Sequence, residues 1–263
     1  MNKIKLCVFD IDGTLKEKGK PISKKLIETI HKLQKENIFY TVATGRGHDT
    51  TINAISKITY SAPYVILDGS CMIDNNKNTL FISPLEKEIV EQAADFIKKY
   101  RESIIFNGYW HPKDHTLHIA ISEKGKENLV KEYPYLKYKF YSNNNCFIED
   151  LPKDKPSLLF IKTIKKLELN GQYNATYNDD TLNFVNKDIS KKSGIQKLCS
   201  NYKIKTKEIM VFGDDDNDLS MAEFAENFVL VGKGNTKLKN QAIEQIEGPK
   251  DLPLFLEKLI NYE

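Results

Sequence analysis

The sequence is poor in cysteine. Its four, Cys7, Cys71, Cys146 and Cys199, lie far apart and none has CxxC spacing. They offer neither a disulfide framework nor a cysteine zinc site. Long apolar runs are also missing, and without a run of about 18 such residues no membrane-spanning helix is expected. The apolar segment from Ile4 to Phe9 is too short for the apolar region of a signal peptide. No small-residue cleavage site follows it, so a cytoplasmic protein is the expectation. Charge of one sign is not in excess. Lys plus Arg number 39 and Asp plus Glu 36, a net +3, and the Lys pairs are short and scattered. This balance gives no electrostatic case for a nucleic-acid partner. There is no internal repeat and no low-complexity segment.

What is present is an ordinary globular composition over 263 residues, 40% hydrophobic and 29% charged. That is enough for one large domain or one domain carrying a smaller one. Ile4 to Phe9 reads as a buried strand stopped by Asp10 and the turn-forming Asp12-Gly13. A helix pattern follows from Ser23 to Glu36, with Ser23 as N-cap and Leu26, Ile27, Ile30 and Leu33 on one face. Phe39 to Ala43 is a second strand, His48 to Ile58 a helix, and Tyr64 to Leu67 a third strand. This alternation implies a parallel sheet with right-handed crossovers.

After Pro84 the pattern changes. A helix from Leu85 to Lys99 precedes short aromatic and β-branched segments at 104–106, 116–121, 137–141, 158–161 and 182–185. Turn residues at Asn143-Asn144-Asn145, Asn170-Gly171 and Asn178-Asp179-Asp180 separate them, as in a small α+β domain with an antiparallel sheet. From Lys191 the first pattern resumes, with a helix to Asn201, a strand at Ile209 to Phe212, a helix at Leu219 to Phe224, a strand at Phe228 to Val231 and a closing helix at Leu252 to Ile260. The fold class expected is therefore α/β: a Rossmann-like parallel-sheet core, residues 1–83 and 187–263, with an inserted α+β cap domain, 84–186.

Four sites fall at the carboxyl ends of core strands or at a helix start, the edge where open α/β sheets bind ligands. In Asp10-Ile11-Asp12-Gly13-Thr14, two carboxylates two residues apart can face one side of the sheet. They repel unless a cation or a shared proton intervenes, and magnesium prefers such oxygens. Asp10 can then serve as nucleophile and Asp12 as general acid/base, while the Gly13 turn offers backbone amides to phosphate oxygens. Thr44-Gly45-Arg46 can hold a phosphate oxygen through a hydroxyl and an amide, although Thr44 taken alone reads better as a helix N-cap. Lys191, at a helix start, can neutralise a phosphate and the nucleophile together, or be a surface lysine. Gly213-Asp214-Asp215-Asp216-Asn217-Asp218 follows a buried strand with four carboxylates within five residues. Such crowding is costly without a cation. Trp110, His111, His115 and His118, in the insertion, match no metal spacing.

Taken together the four motifs resemble those of the haloacid dehalogenase (HAD) superfamily, and within it the Cof-type phosphatases. Asp10-Ile11-Asp12-Gly13-Thr14 resembles the first motif, Thr44-Gly45-Arg46 the second, Lys191 the third and Gly213 to Asp218, followed by Met221, the fourth. Gly234-Asn235 resembles the family's Gly-Asn turn. Two positions depart from the pattern: Asp68-Gly69 stands where Asn-Gly is usual, and Lys192 where glycine is. The resemblance implies a phosphatase for small phosphorylated metabolites, with Mg2+ held by Asp10, Asp214 and the backbone carbonyl of Asp12, supported by Asp218. It places the phosphate on Thr44, Gly45, Lys191 and Asn217. It also leaves open a sugar phosphomutase, in which the aspartyl phosphate passes to sugar, and a non-catalytic phosphometabolite sensor. No membrane partner is expected, and oligomeric state is not legible.

Overall fold

The computed structural model describes residues 3–169, 171–178 and 180–261; Asn170 and Asp179, read above as turn residues, lie outside them. Fourteen strands are described: β1 (Leu6–Phe9), β2 (Phe39–Val42), β3 (Tyr64–Ile66), β4 (Cys71–Ile73), β5 (Thr79–Ile82), β6 (Ile104–Trp110), β7 (Leu117–Ile121), β8 (Tyr138–Tyr141), β9 (Leu159–Thr163), β10 (Ala175–Asn178), β11 (Thr181–Phe184), β12 (Ile209–Gly213), β13 (Asn227–Val231) and β14 (Glu244–Ile246). The α-helices among the described residues are α1 (Lys24–Lys35), α2 (His48–Ala54), α3 (Lys87–Lys99), α4 (Glu123–Glu132), α5 (Asn144–Asp154), α6 (Lys191–Tyr202), α7 (Leu219–Ala222), α8 (Thr236–Gln241) and α9 (Leu252–Asn261). None of these is long and apolar enough to cross a membrane. The chain forms two compact units, one of Met1–Arg46, Thr51–Phe81 and Ser190–Glu263, the other of Gly47–Thr50 and Ile82–Ile189.

The first unit is built on a five-stranded sheet of order β14-β13-β12-β1-β2 with parallel pairing throughout. β1 is buried along its whole length, as a central parallel strand covered on both faces requires. Its side chains and those of β12 meet Ile195 and Leu198 of α6 and Phe228 of β13 in the core. α1 starts where expected, with a serine oxygen satisfying an otherwise orphan amide. The Ser23 hydroxyl accepts from the Leu26 amide at 3.2 Å, and Leu26, Ile30 and Leu33 are buried along one stripe. β3 does not join this sheet as a full strand. It meets β2 through one bridge, Ala43 to Val65, and pairs antiparallel with β4 in a separate three-stranded sheet. The helix expected to reach Ile58 ends at Ala54.

The second unit has a six-stranded sheet of order β10-β11-β9-β6-β7-β8. It is antiparallel except for β7 and β8, which run parallel. That corrects the expectation of a wholly antiparallel sheet. The cause is α4, which crosses back between the two strands; parallel neighbours need such a crossover. Asn143 was expected in a turn, and its side chain instead caps α5, accepting from the Cys146 amide at 3.0 Å. The core of this unit packs Phe96 of α3 and Phe147 of α5 with Tyr109, Ile161 and Phe184 of the sheet. His118 is buried there, its Nδ1 2.6 Å from the Tyr109 hydroxyl and 3.0 Å from that of Tyr141.

Candidate active site

Strand register assembles the site in the first unit. Phe9 of β1 pairs with Phe212 of β12 on one side and with Val42 of β2 on the other, so the next residues, Asp10, Gly213 and Ala43, emerge together at the carboxyl edge. Phe9 stacks on Phe212 with centroids 4.6 Å apart, and the Asp10 amide donates to the Phe212 carbonyl at 3.0 Å. Ring stacking and backbone pairing together fix that level. Asp214 follows one residue after β12. Gly13 lets it approach. Gly13 sits at φ 92°, and a Cβ there would lie 2.0 Å from Oδ2 of Asp214. Only glycine takes both that backbone and that contact without strain.

Lys191 is the first residue of α6, whose Ser190 cap and Ser193 form a capping box, so the two serines satisfy each other's backbone amides. Its side chain is fully buried, and Nζ donates to Oδ1 of Asp10 at 2.6 Å and to Oδ1 of Asp218 at 2.7 Å. The surface reading of this lysine therefore fails. Oδ2 of Asp218 accepts the backbone amides of Asp214 (2.8 Å) and Asp215 (3.2 Å), which holds the acidic loop closed. The buried Thr14 hydroxyl donates to Oδ1 of Asp214 at 2.8 Å. Carboxylate oxygens of Asp10, Asp214 and Asp218 all come within 4.8 Å of one another.

Burial pushes the Asp10 carboxyl well above its ordinary range; Lys191 opposes this, while Asp218 and Asp214 add to it. Loss of water disfavours the charged carboxylate, and like charges nearby do the same. Burial likewise pushes Asp214 up to about 7, with Asp218 acting in the same direction and the Thr14 hydroxyl against it. Burial disfavours the Lys191 ammonium, yet Asp10, Asp218 and Asp68 outweigh it and hold the group charged above its usual range. Fully ionised, three carboxylates against one ammonium would leave two negative charges in a space with little water. A divalent cation with a preference for oxygen ligands matches both the charge and the donor set.

This balance has a measurable sign. The folded Asp214 carboxyl keeps its proton up to about 7, whereas an ordinary one loses it near 3.8. Between those values the folded state binds more protons than the unfolded. The contribution to stability is therefore full below the lower value and is lost as pH rises through the upper one. Metal-free protein is expected to lose stability across that window, and a divalent cation to restore it by engaging the ionised carboxylates. In thermal unfolding with magnesium or with chelator, the gap in Tm should widen by several degrees from about pH 5 to about pH 8. A gap that narrows would contradict this electrostatic picture.

Asp12 stands apart from the three-carboxylate cluster. Its side chain forms a pair with Arg46, Nε to Oδ2 at 2.5 Å and Nη2 to Oδ1 at 2.8 Å, with Lys16 at 3.6 Å. Two parallel charge-assisted bonds of this kind fix orientation as well as charge. Partial burial raises its pKa, but Arg46 and then Lys16 outweigh that and hold the carboxyl below the ordinary range. Thr44 does not cap a helix: α2 begins at His48, and the Thr44 hydroxyl accepts from the Arg46 amide at 3.3 Å. Gly45 follows at the same strand edge. Asn217 lies half-buried on the short 3-10 turn Asp216–Asp218. Asn235 caps α8 and its side-chain amide reaches Oδ1 of Asp216, tying the Gly-Asn turn to the acidic loop.

Sequence reasoning placed Asp10, Lys191, Asp214 and Asp218 together, and the structure brings the same four to one place. It gave Arg46 no role beyond membership of the Thr44-Gly45-Arg46 motif, and did not single out Thr14 as a partner of Asp214. The signal for Arg46 was available, since an arginine shortly past a strand end can reach across to the neighbouring strand's end.

The profile described as haloacid dehalogenase-like hydrolase matches residues 7–251. The chain is 22% identical over 253 residues to the 5-amino-6-(5-phospho-D-ribitylamino)uracil phosphatase YitU of Bacillus subtilis, covering 90% of each. It is 23% identical over 250 residues to an HMP-PP phosphatase of Yersinia pseudotuberculosis, covering 90% of this chain and 87% of that one. Among solved structures, the HAD subclass IIB sugar phosphatase BT4131 superposes with a TM-score of 0.76 at 17% identity over 98% of each chain, a likeness of fold. With its four motifs drawn to one sheet edge and the family profile covering nearly its whole length, the chain belongs to the haloacid dehalogenase-like hydrolases.

Proposed function

We propose that this enzyme is a magnesium-dependent phosphomonoesterase for small phosphorylated metabolites such as sugar phosphates, nucleotides or phosphorylated cofactors. It works through an aspartyl phosphate on Asp10, in a core of residues 1–83 and 187–263, with 84–186 as the inserted cap. The observation that carries this reading is the fully buried Lys191 bridging Asp10 and Asp218 beside Asp214. A buried acid placed between an ammonium and a cation-binding cluster suits a nucleophile facing an anionic centre better than a structural ion pair.

Asp10 attacks phosphorus in line. A carboxylate oxygen bonds to phosphorus as the bond to the leaving oxygen breaks, and Asp12 gives that oxygen a proton. Asp12 then takes a proton from the water that attacks the aspartyl phosphate, so inorganic phosphate leaves and Asp10 is restored. Arg46 holds Asp12 ionised and aimed before substrate arrives. A phosphate dianion beside it acts in the opposite direction and favours the protonated acid. Thr44, Gly45, Lys191 and Asn217 bind the phosphate oxygens. Asp10, Asp214 and the backbone carbonyl of Asp12, with Asp218 in support, would hold magnesium, which would supply charge neutralisation at the phosphate. The relatives named for a ribitylaminouracil phosphate, for HMP-PP and for a sugar phosphate support the class of substrate.

The test is phosphate release from a panel of phosphomonoesters, with magnesium or with chelator. Release from at least one small ester that stops on chelation is expected. Release that continues undiminished in chelator, or none from any ester, would contradict the reading.

A further inference from the structure

The loop after β12 carries four acids, Asp214, Asp215, Asp216 and Asp218, and only the first and last of them join Asp10 in the carboxylate cluster. The other two are each tied by a hydrogen bond of their own. Oδ1 of Asp215 accepts from the Asp216 amide at 2.8 Å. Asp216, the exposed one, accepts through Oδ1 from the side-chain amide of Asn235. The buried end of the loop is held through Asp218, by Lys191 and by the Asp214 and Asp215 amides. Asn235 supplies the hold at the exposed residue.

The fold makes that hold a firm one. Gly213 of β12 pairs with Leu230 of β13, so the segments that follow the two strands leave the sheet side by side. The turn after β13 is anchored to β14: the Gly232 amide donates to the Ile246 carbonyl at 2.8 Å, and the Gln245 side-chain amide to the Gly232 carbonyl at 2.7 Å. Gly234 sits at φ 49°, where a Cβ would stand 2.6 Å from Cδ1 of Leu230, a place for glycine. Past the turn, Leu238 of α8 is buried in the core. Oδ1 of Asn235 accepts from the Leu238 amide at 2.9 Å. That use of the oxygen turns the NH2 end to Asp216, and only this end can donate to a carboxylate. The consequence concerns the choice of cation. Calcium takes more oxygen ligands in a looser shell, whereas magnesium takes few carboxylates and demands near-ideal octahedral geometry. Four acids free to rearrange suit calcium. Three carboxylates at fixed positions, with the remaining acids tied back, suit magnesium.

We propose that Asn235 is a positioning residue that, by holding Asp216 out of the carboxylate cluster, makes the site select magnesium over calcium. This rests on the magnesium-dependent phosphatase reading. Titration calorimetry with magnesium alone and with calcium alone tests it. In Asn235→Asp the new side chain still caps α8 but sets a carboxylate against Asp216. Magnesium binding is expected to weaken about tenfold, the lower end of the effect of a group that supports metal ligands from outside. Calcium binding should weaken less or tighten, so the ratio of the calcium to the magnesium dissociation constant falls. A merely loosened fold weakens both alike. Asn235→Ser, which keeps a cap but is too short to reach Asp216, should lower the ratio in the same way if the aspartate variant fails to fold. The double variant Asn235→Asp with Asp216→Asn reverses the pair, an amide on the loop donating to a carboxylate on the turn, and should recover most of the magnesium preference. An unchanged ratio in a folded single variant, no recovery in the double variant, or a wild type that binds magnesium without preferring it to calcium would overturn the role of Asn235 alone. A wild type that binds no magnesium would overturn the magnesium-dependent reading and this inference with it.

Discussion

Asp10→Asn is expected to lower turnover by about 10³-fold or more while leaving the fold intact. The substitution keeps the shape of the side chain and an oxygen for Lys191 to donate to, so the contact at 2.6 Å can persist. What it removes is the carboxylate proposed as nucleophile, which is also one of three acids crowded within 4.8 Å. Relief of that repulsion should make the metal-free variant at least as stable as the wild type, and magnesium should raise its Tm less. Steady-state rates beside thermal unfolding check both halves. An active variant would show that Asp10 is a metal ligand only, and an unfolded one that its charge holds the core together.

Lys191→Met carries the largest expected effect on stability. The methionine matches the length of the lysine stem, but the ammonium it removes is the cation that the structure places on the buried Asp10 and Asp218 carboxylates. Breaking a buried pair by deleting one partner costs about 3–5 kcal/mol. Activity should fall as well, since the same ammonium is the one proposed to bind the phosphate. The two carboxylates can escape the penalty by taking up protons, so the loss should be greatest at alkaline pH and shrink as pH falls. Denaturant unfolding at two pH values measures this. Lys192→Met is the control, at a half-buried neighbour. A change within about 0.5 kcal/mol is expected there. Equal effects from the two lysines would contradict the buried bridge.

The α/β core was legible because its strands are short apolar runs that end on chemistry: Val8-Phe9 before Asp10, Val211-Phe212 before Gly213-Asp214. A strand buried on both faces has no polar alternation to confuse it, and its end is marked by the residues the site needs. Elements lost to the reading are those without such marks. α4 buries none of its residues and contains Gly125, so its periodicity is weak; α5 follows Asn143 with two more asparagines and carries Pro152. β14, Glu244-Gln245-Ile246, is a polar edge strand with no apolar run to see. The site was legible as a set of residue types but not as a set of contacts. Nothing in the order of residues says that Arg46 clasps Asp12 or that Thr14 supports Asp214. Those contacts depend on register between strands far apart in the chain.

The central claim, that Asp10 carries the phosphoryl group during turnover, is tested most directly by quenching the working enzyme in acid within one turnover, reducing with borohydride and weighing its peptides. An acyl phosphate at Asp10 would be converted to homoserine, and that mass change at position 10, absent without substrate and absent in Asp10→Asn, is the result expected. Rapid phosphate release with no modified Asp10, or with the change at another carboxylate, would contradict it.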